Sequence, residues 1–132
     1  NSRWYDVKLV STSKGVEFYV NGRLVVGYKP VMPRQFYAAG YDGEAGEIVV
    51  KVVNAANAPY KVRFHLVGGA RVETKGHVLT LAAATGMDEN TAEEPKRIYP
   101  RESEFREFGE LFDYEFLPFS YSVMRIKTQK RR

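Results

Sequence analysis

A chain of 132 residues, 44% hydrophobic and 27% charged, holds about one domain of ordinary globular composition. It has no cysteine, which excludes disulfides and thiolate metal sites, and no apolar run near the ~18 residues that span a bilayer. The formal net charge of +4 invites a nucleic-acid reading. The terminal run Lys127-Thr128-Gln129-Lys130-Arg131-Arg132 supplies four of those charges, however, and a solvated tail is the simpler account. Neither a nucleic acid nor a membrane is expected as a partner. The chain begins at Asn1 without a signal-peptide pattern, which reads as a fragment or processed product of a longer protein.

Residues 4 to 10 alternate, with Tyr5, Val7 and Leu9 on one face, and predict a first strand. Ser11 to Gly15 turns the chain. Val16, Phe18 and Val20 then mark a second strand, and Asn21-Gly22 predicts a type I′ hairpin turn into a third. Residues 4 to 28 therefore read as a three-stranded meander. Pro30 and Pro33 predict a connector over about 28 to 35, because neither can donate to a ladder. Phe36 to Tyr41 is a short strand, turned by Asp42-Gly43-Glu44-Ala45-Gly46.

The stretch Gly46-Glu47-Ile48-Val49-Val50-Lys51-Val52-Val53-Asn54 follows. Ile48, Val50 and Val52 share one face, and the other is also mostly apolar, which predicts a central strand covered on both sides. Tyr60 to Leu66 alternates, with Tyr60, Val62, Phe64 and Leu66 inward and Lys61, Arg63 and His65 wet. Gly68-Gly69 breaks it, and Gly76 marks another turn. Val78 to Ala83 predicts a further strand, and Gly86 to Pro100 is a long polar segment. Arg101 to Glu110 is highly charged and fits either a helical turn or a loop. Strands around Phe112, Tyr114 and Phe116, and around Ser122, Met124 and Ile126, end the chain. Many short strands, frequent turns and no long helix predict an all-β, antiparallel β-sandwich of jelly-roll type.

Little in this pattern carries chemistry. Hydrolysis of a glycoside needs two carboxylates flanking one bond, and the glutamates fall mostly in turns or charged runs such as Glu93-Glu94 and Glu102 to Glu110. His65 lies on a wet face and His77 borders a turn, with no metal-binding spacing. Asp42 and Glu44 make one short acidic turn, a weak calcium signal. No catalytic residue, metal site or cofactor is therefore expected. Of one Trp, nine Tyr and eight Phe, Phe18, Phe64, Phe112 and Phe116 occupy inward strand positions and are expected in the core. Trp4, Tyr19, Tyr37 and Tyr41 are freer, and are the candidates for a carbohydrate-stacking surface.

Three stretches resemble the C-terminal domain of family 51 α-L-arabinofuranosidases, in order and spacing, over about residues 36 to 127. The first is Gly46 to Asn54. The second is Met87-Asp88-Glu89-Asn90-Thr91-Ala92-Glu93-Glu94-Pro95-Lys96-Arg97-Ile98-Tyr99-Pro100, the most specific, with Thr91 where that family usually has Ser. The third is Phe112 to Val123. The opening strands, Trp4 to Val10 and Phe18 to Val25, are similar to the closing strands of laminin-G or concanavalin-like modules. Two domain readings follow: residues 1–30 as the tail of a lectin-like module ahead of a sandwich at 31–132, or as the first strands of that same sandwich.

The resemblance implies a parent enzyme that is a retaining exo-hydrolase of terminal α-L-arabinofuranosyl groups on arabinoxylan or arabinan. Its catalytic glutamates would stand on a (β/α)8 barrel, which needs about 250 residues, more than this chain holds. The chain would then be a non-catalytic accessory domain partnered by that barrel, in a parent that is extracellular or periplasmic and that can form homo-oligomers. A carbohydrate-binding module contacting plant polysaccharide is the alternative.

Overall fold

Period-2 alternation, punctuated by Gly, Pro and Asn, gives ten strands and no helix among the residues that the computed structural model describes, 3–29, 33–69 and 71–129. The chain divides into two compact units, Asn1–Pro33 and Arg34–Arg132. The connector proline Pro30 and the tail residues Lys130, Arg131 and Arg132 lie outside the described residues.

The first unit is an antiparallel meander of β1 (Val7–Thr12), β2 (Gly15–Val20) and β3 (Arg23–Tyr28). Asn21 and Gly22 close the second hairpin with φ of 48° and 75°, the left-handed values that a type I′ turn requires. The Asn21 side chain accepts the Asp6 N–H at 2.9 Å and its backbone N–H donates to the Asp6 carbonyl at 2.7 Å. One turn residue thereby also fixes the segment entering β1. Phe18 is half-buried rather than core, and no described residue of the unit is fully buried. The unit has no second layer of its own to close over the sheet.

The second unit contains, in chain order, β4 (Gln35–Asp42), β5 (Glu47–Asn54), β6 (Tyr60–His65), β7 (Gly76–Ala82), β8 (Arg101–Phe105), β9 (Leu111–Phe116) and β10 (Ser120–Lys127). It is an antiparallel β-sandwich. One sheet has the order β4-β5-β10-β7-β8, and the other pairs β6 with β9. The core lies between them: Val50 and Val52 of β5, Val78 of β7, Phe112 and Phe116 of β9, and Met124 and Ile126 of β10, with Val72 and Phe108 from flanking segments. Phe64 is only partly buried but packs on this cluster, stacked on Phe112 with ring centroids 4.8 Å apart.

Two expectations change. The Gly46–Asn54 strand is buried on one face only: Val49 and Val53 are half-buried, Lys51 is exposed, and β10 holds the centre of the sheet. β-Branched residues also suit a half-exposed pleated face, so two apolar faces did not mean two covering layers. The charged segment from Arg101 begins as the edge strand β8, paired with β7 from Gly76↔Phe105 to Thr80↔Arg101. Charge on an edge strand discourages pairing with other chains, and it masks the strand pattern.

Candidate binding cleft

The inner face of the five-stranded sheet changes character along one rung. Val52 faces Ser122, Ser122 faces Thr80, and Thr80 faces Arg101. The row runs from a buried valine through two hydroxyls to an exposed guanidinium. Sandwich interiors are filled by the inward side chains of both sheets, so successive polar residues on this side mark where the layers part. A cleft of about 420 Å3 opens there, lined also by Ser103, Tyr99 and, from the facing sheet, Tyr114.

The hydroxyls are ordered by one another. Thr80 Oγ1 and Ser122 Oγ lie 3.2 Å apart, and Ser103 Oγ donates to the Val78 carbonyl at 3.4 Å. Burial pushes the Tyr114 hydroxyl above the ordinary tyrosine pKa, while hydrogen bonds with Ser103 and Thr80 pull it partly back. It is therefore neutral near pH 7, an O–H able to donate.

The loop between β7 and β8 delivers the other wall. Asp88 Oδ2 accepts the Ala84 and Thr85 N–H groups, both at 2.9 Å, and its Oδ1 accepts Arg97 Nη2 at 3.2 Å. The Thr85 N–H above all, then the Thr85 hydroxyl, the Ala84 N–H and the Arg97 charge, hold the Asp88 carboxyl below its usual range despite desolvation. Asn90 Nδ2 donates to the Ile98 carbonyl at 2.8 Å, and Asn90 Oδ1 accepts the Ile98 N–H at 2.7 Å. Thr91 Oγ1 accepts the Glu94 N–H at 3.1 Å, a bond that Ser or Thr can make equally. Stapled this way, the loop sets Tyr99 beside β8, where the Arg101 guanidinium stands 4.9 Å from the ring centroid.

Arg97 meets both Asp88 and Glu94, and Glu115 at the cleft edge pairs with Lys61 at 3.3 Å. Among the described residues, Arg101 forms no ion pair. The cleft thus carries one uncompensated guanidinium among hydroxyls.

The four aromatic candidates sit elsewhere. Trp4, 93% exposed, and Tyr19 belong to the first unit. Tyr19 is half-buried, its hydroxyl donates to Glu17 Oε2 at 2.8 Å, and Lys8 Nζ lies 5.9 Å from its ring centroid. Tyr37 and Tyr41 lie on β4, 79% and 65% exposed, opposite Val52 and Ile48. They share the core-facing side of the sheet, yet the core cluster includes no β4 residue. The structure brings these two onto one face with Ala39 between them.

The polar residues weighed for chemistry have surface partners. His65 lies 3.8 Å from Glu110 and His77 lies 3.3 Å from Glu102. Asp42 Oδ1 accepts the Glu44 and Ala45 N–H groups at 3.1 and 3.0 Å, capping its own turn. The sequence reading missed Arg101, Ser103 and Tyr114 as cleft residues. Ser122, an inward polar residue in the Ser122-Met124-Ile126 alternation, was the one signal available.

No protein-family model matches the chain. It is 33% identical over 131 residues to an extracellular exo-α-L-arabinofuranosidase of Streptomyces chartreusis, covering 96% of this chain and 15% of that protein. An arabinose-bound family 51 α-L-arabinofuranosidase superimposes with a TM-score of 0.66 and 23% identity, over 87% of this chain and 17% of that one. The thermostable family 51 enzyme of Thermotoga petrophila gives 0.64 and 21%, over 86% of this chain and 25% of that one. These structural likenesses concern the fold. The chain spans about 15% of the length of the curated relative it matches.

Proposed function

We propose that this chain, a C-terminal β-sandwich domain of the family 51 α-L-arabinofuranosidases, serves a catalytic barrel without doing chemistry itself. The parent removes terminal α-L-arabinofuranosyl groups from arabinoxylan or arabinan, with two carboxylates on the barrel as nucleophile and acid/base. The sandwich packs on that barrel and stabilises it. One observation carries this reading: the match covers nearly all of this chain and only 15% of the relative.

The disposition of the carboxylates supports it. Glu102, Glu104, Glu110, Asp113 and Glu115 each have a cationic or histidine partner at the surface, an arrangement suited to solubility rather than to bond cleavage. Tyr37 and Tyr41 supply exposed aromatic area on the core-facing side of β4, of the kind that inter-domain contacts bury. Removing residues 31–132 from the parent tests the reading. The truncated enzyme should unfold at lower temperature, with KM for an aryl arabinofuranoside unchanged in whatever fraction stays folded. An unchanged melting temperature would contradict a stabilising role.

A further inference from the structure

We infer that the cleft between β7, β8 and β9 binds a sugar ring bearing a carboxylate, anchored by the Arg101 guanidinium. The inference concerns this sandwich alone and does not depend on the role proposed for it beside a barrel. It also departs from the four aromatic candidates Trp4, Tyr19, Tyr37 and Tyr41, none of which lines the cleft.

Three observations converge. The volume, about 420 Å3, falls within the roughly 300–1,000 Å3 of small-molecule sites. Arg101 projects from an inward position of the rung Val52, Ser122, Thr80, Arg101, where an apolar residue would serve the core better. Local departures of this kind concentrate at functional sites. Among the described residues its charge is unmatched, since the neighbouring Arg97 and Glu115 are already paired. A guanidinium offers a fork of donors that fits a carboxylate with two parallel bonds.

Beside the apolar Ala82, Ala83 and Leu117, the hydroxyls of the lining suit a polyol. Ser103, Thr80 and the half-buried Tyr114 hydroxyl both donate and accept, as the hydroxyls of a pyranose ring do. The stapled β7–β8 loop places Tyr99 against Arg101, so the guanidinium is oriented before a ligand arrives. Preorganisation of that kind reduces the entropy lost on binding.

The test is an amide NMR titration of the 132-residue chain with methyl β-D-glucuronide, alongside methyl β-D-glucoside, sodium acetate and sodium sulfate. The glucuronide should shift the Tyr99, Arg101 and Ser103 amides saturably. The glucoside, which lacks the carboxylate, and the two simple anions, which lack the ring, should each bind at least about tenfold more weakly. Arg101→Ala should abolish the response, and Tyr114→Phe should weaken it severalfold while keeping the ring packing. Equal binding of the glucoside would overturn the carboxylate assignment. Equal binding of acetate or sulfate would overturn the sugar assignment, and no saturable shift with the glucuronide would overturn the site. If Arg101→Ala does not fold, the comparison of ligands on the unaltered chain decides alone.

Discussion

The carboxamide nitrogen of Asn54 donates to the Leu117 carbonyl at 2.9 Å, joining the end of β5 to the turn before β10. The same nitrogen donates to the Ala58 carbonyl at 2.8 Å. The oxygen accepts the Ala56 N–H and Gln35 Nε2, each at 3.2 Å. Asn54 is fully buried, and this one side chain satisfies four groups from three segments. Replacing it with Leu, of similar size, strips the Ala58 carbonyl of that donor. A loss of about 1–3 kcal/mol is expected, read from the urea midpoint; an unchanged midpoint would show that water substitutes freely.

The two faces of the β5–β10 pair should respond differently to truncation. Met124 is fully buried, so Met124→Ala removes transfer energy and leaves a cavity, costing about 2–5 kcal/mol. Lys51, exposed on the opposite face of the sheet, should tolerate Ala within about 0.5 kcal/mol. Chemical denaturation of both variants checks the contrast. A large loss from Lys51→Ala would mean that the outer face is covered in solution.

The Asp88 staple sets a pH dependence for the β7–β8 loop. Its folded pKa is depressed below the unfolded value of about 3.9. Its contribution to stability is therefore complete above that value and is lost as pH falls through the depressed one. Exchange of the Ala84 and Thr85 amides, both bonded to Asp88 Oδ2, should accelerate beyond its intrinsic pH trend over that acid range. Asp88→Asn should flatten the transition. Persistence of the transition in the variant would assign it to another carboxyl.

The exposed aromatics make a separate claim testable. Trp4 is almost fully solvated, and the chain holds no other tryptophan, so its fluorescence reports on one site. Titration with linear arabinan should leave emission without saturable change. A saturable quench would favour a carbohydrate-binding module over an accessory packing domain.

Period-2 alternation made most of the sandwich legible. Val50 and Val52, Phe112 and Phe116, and Met124 and Ile126 all fall on the inward faces that their spacing required. The Asn21-Gly22 turn was legible because few residue pairs accept φ of 48° and 75° in succession. β8 was not, because its charged residues obscure the period. The cleft was hidden for another reason. Ser122, Thr80 and Arg101 become neighbours only through the strand order β10-β7-β8, a long-range pairing that local pattern does not specify. The resemblance was informative where hydrogen bonds demand a particular side chain. Asn54, Asn90 and Thr91, polar residues within the quoted stretches, all bind backbone groups of a turn or loop.

The central claim, that this domain does no chemistry, is tested most directly by incubating the isolated chain with 4-nitrophenyl α-L-arabinofuranoside and following nitrophenolate release. The account predicts a rate indistinguishable from buffer, since Glu102, Glu104, Glu110, Asp113 and Glu115 are engaged in surface pairs rather than opposed across a substrate site. Turnover well above buffer that vanishes on one substitution such as Glu102→Gln would contradict it.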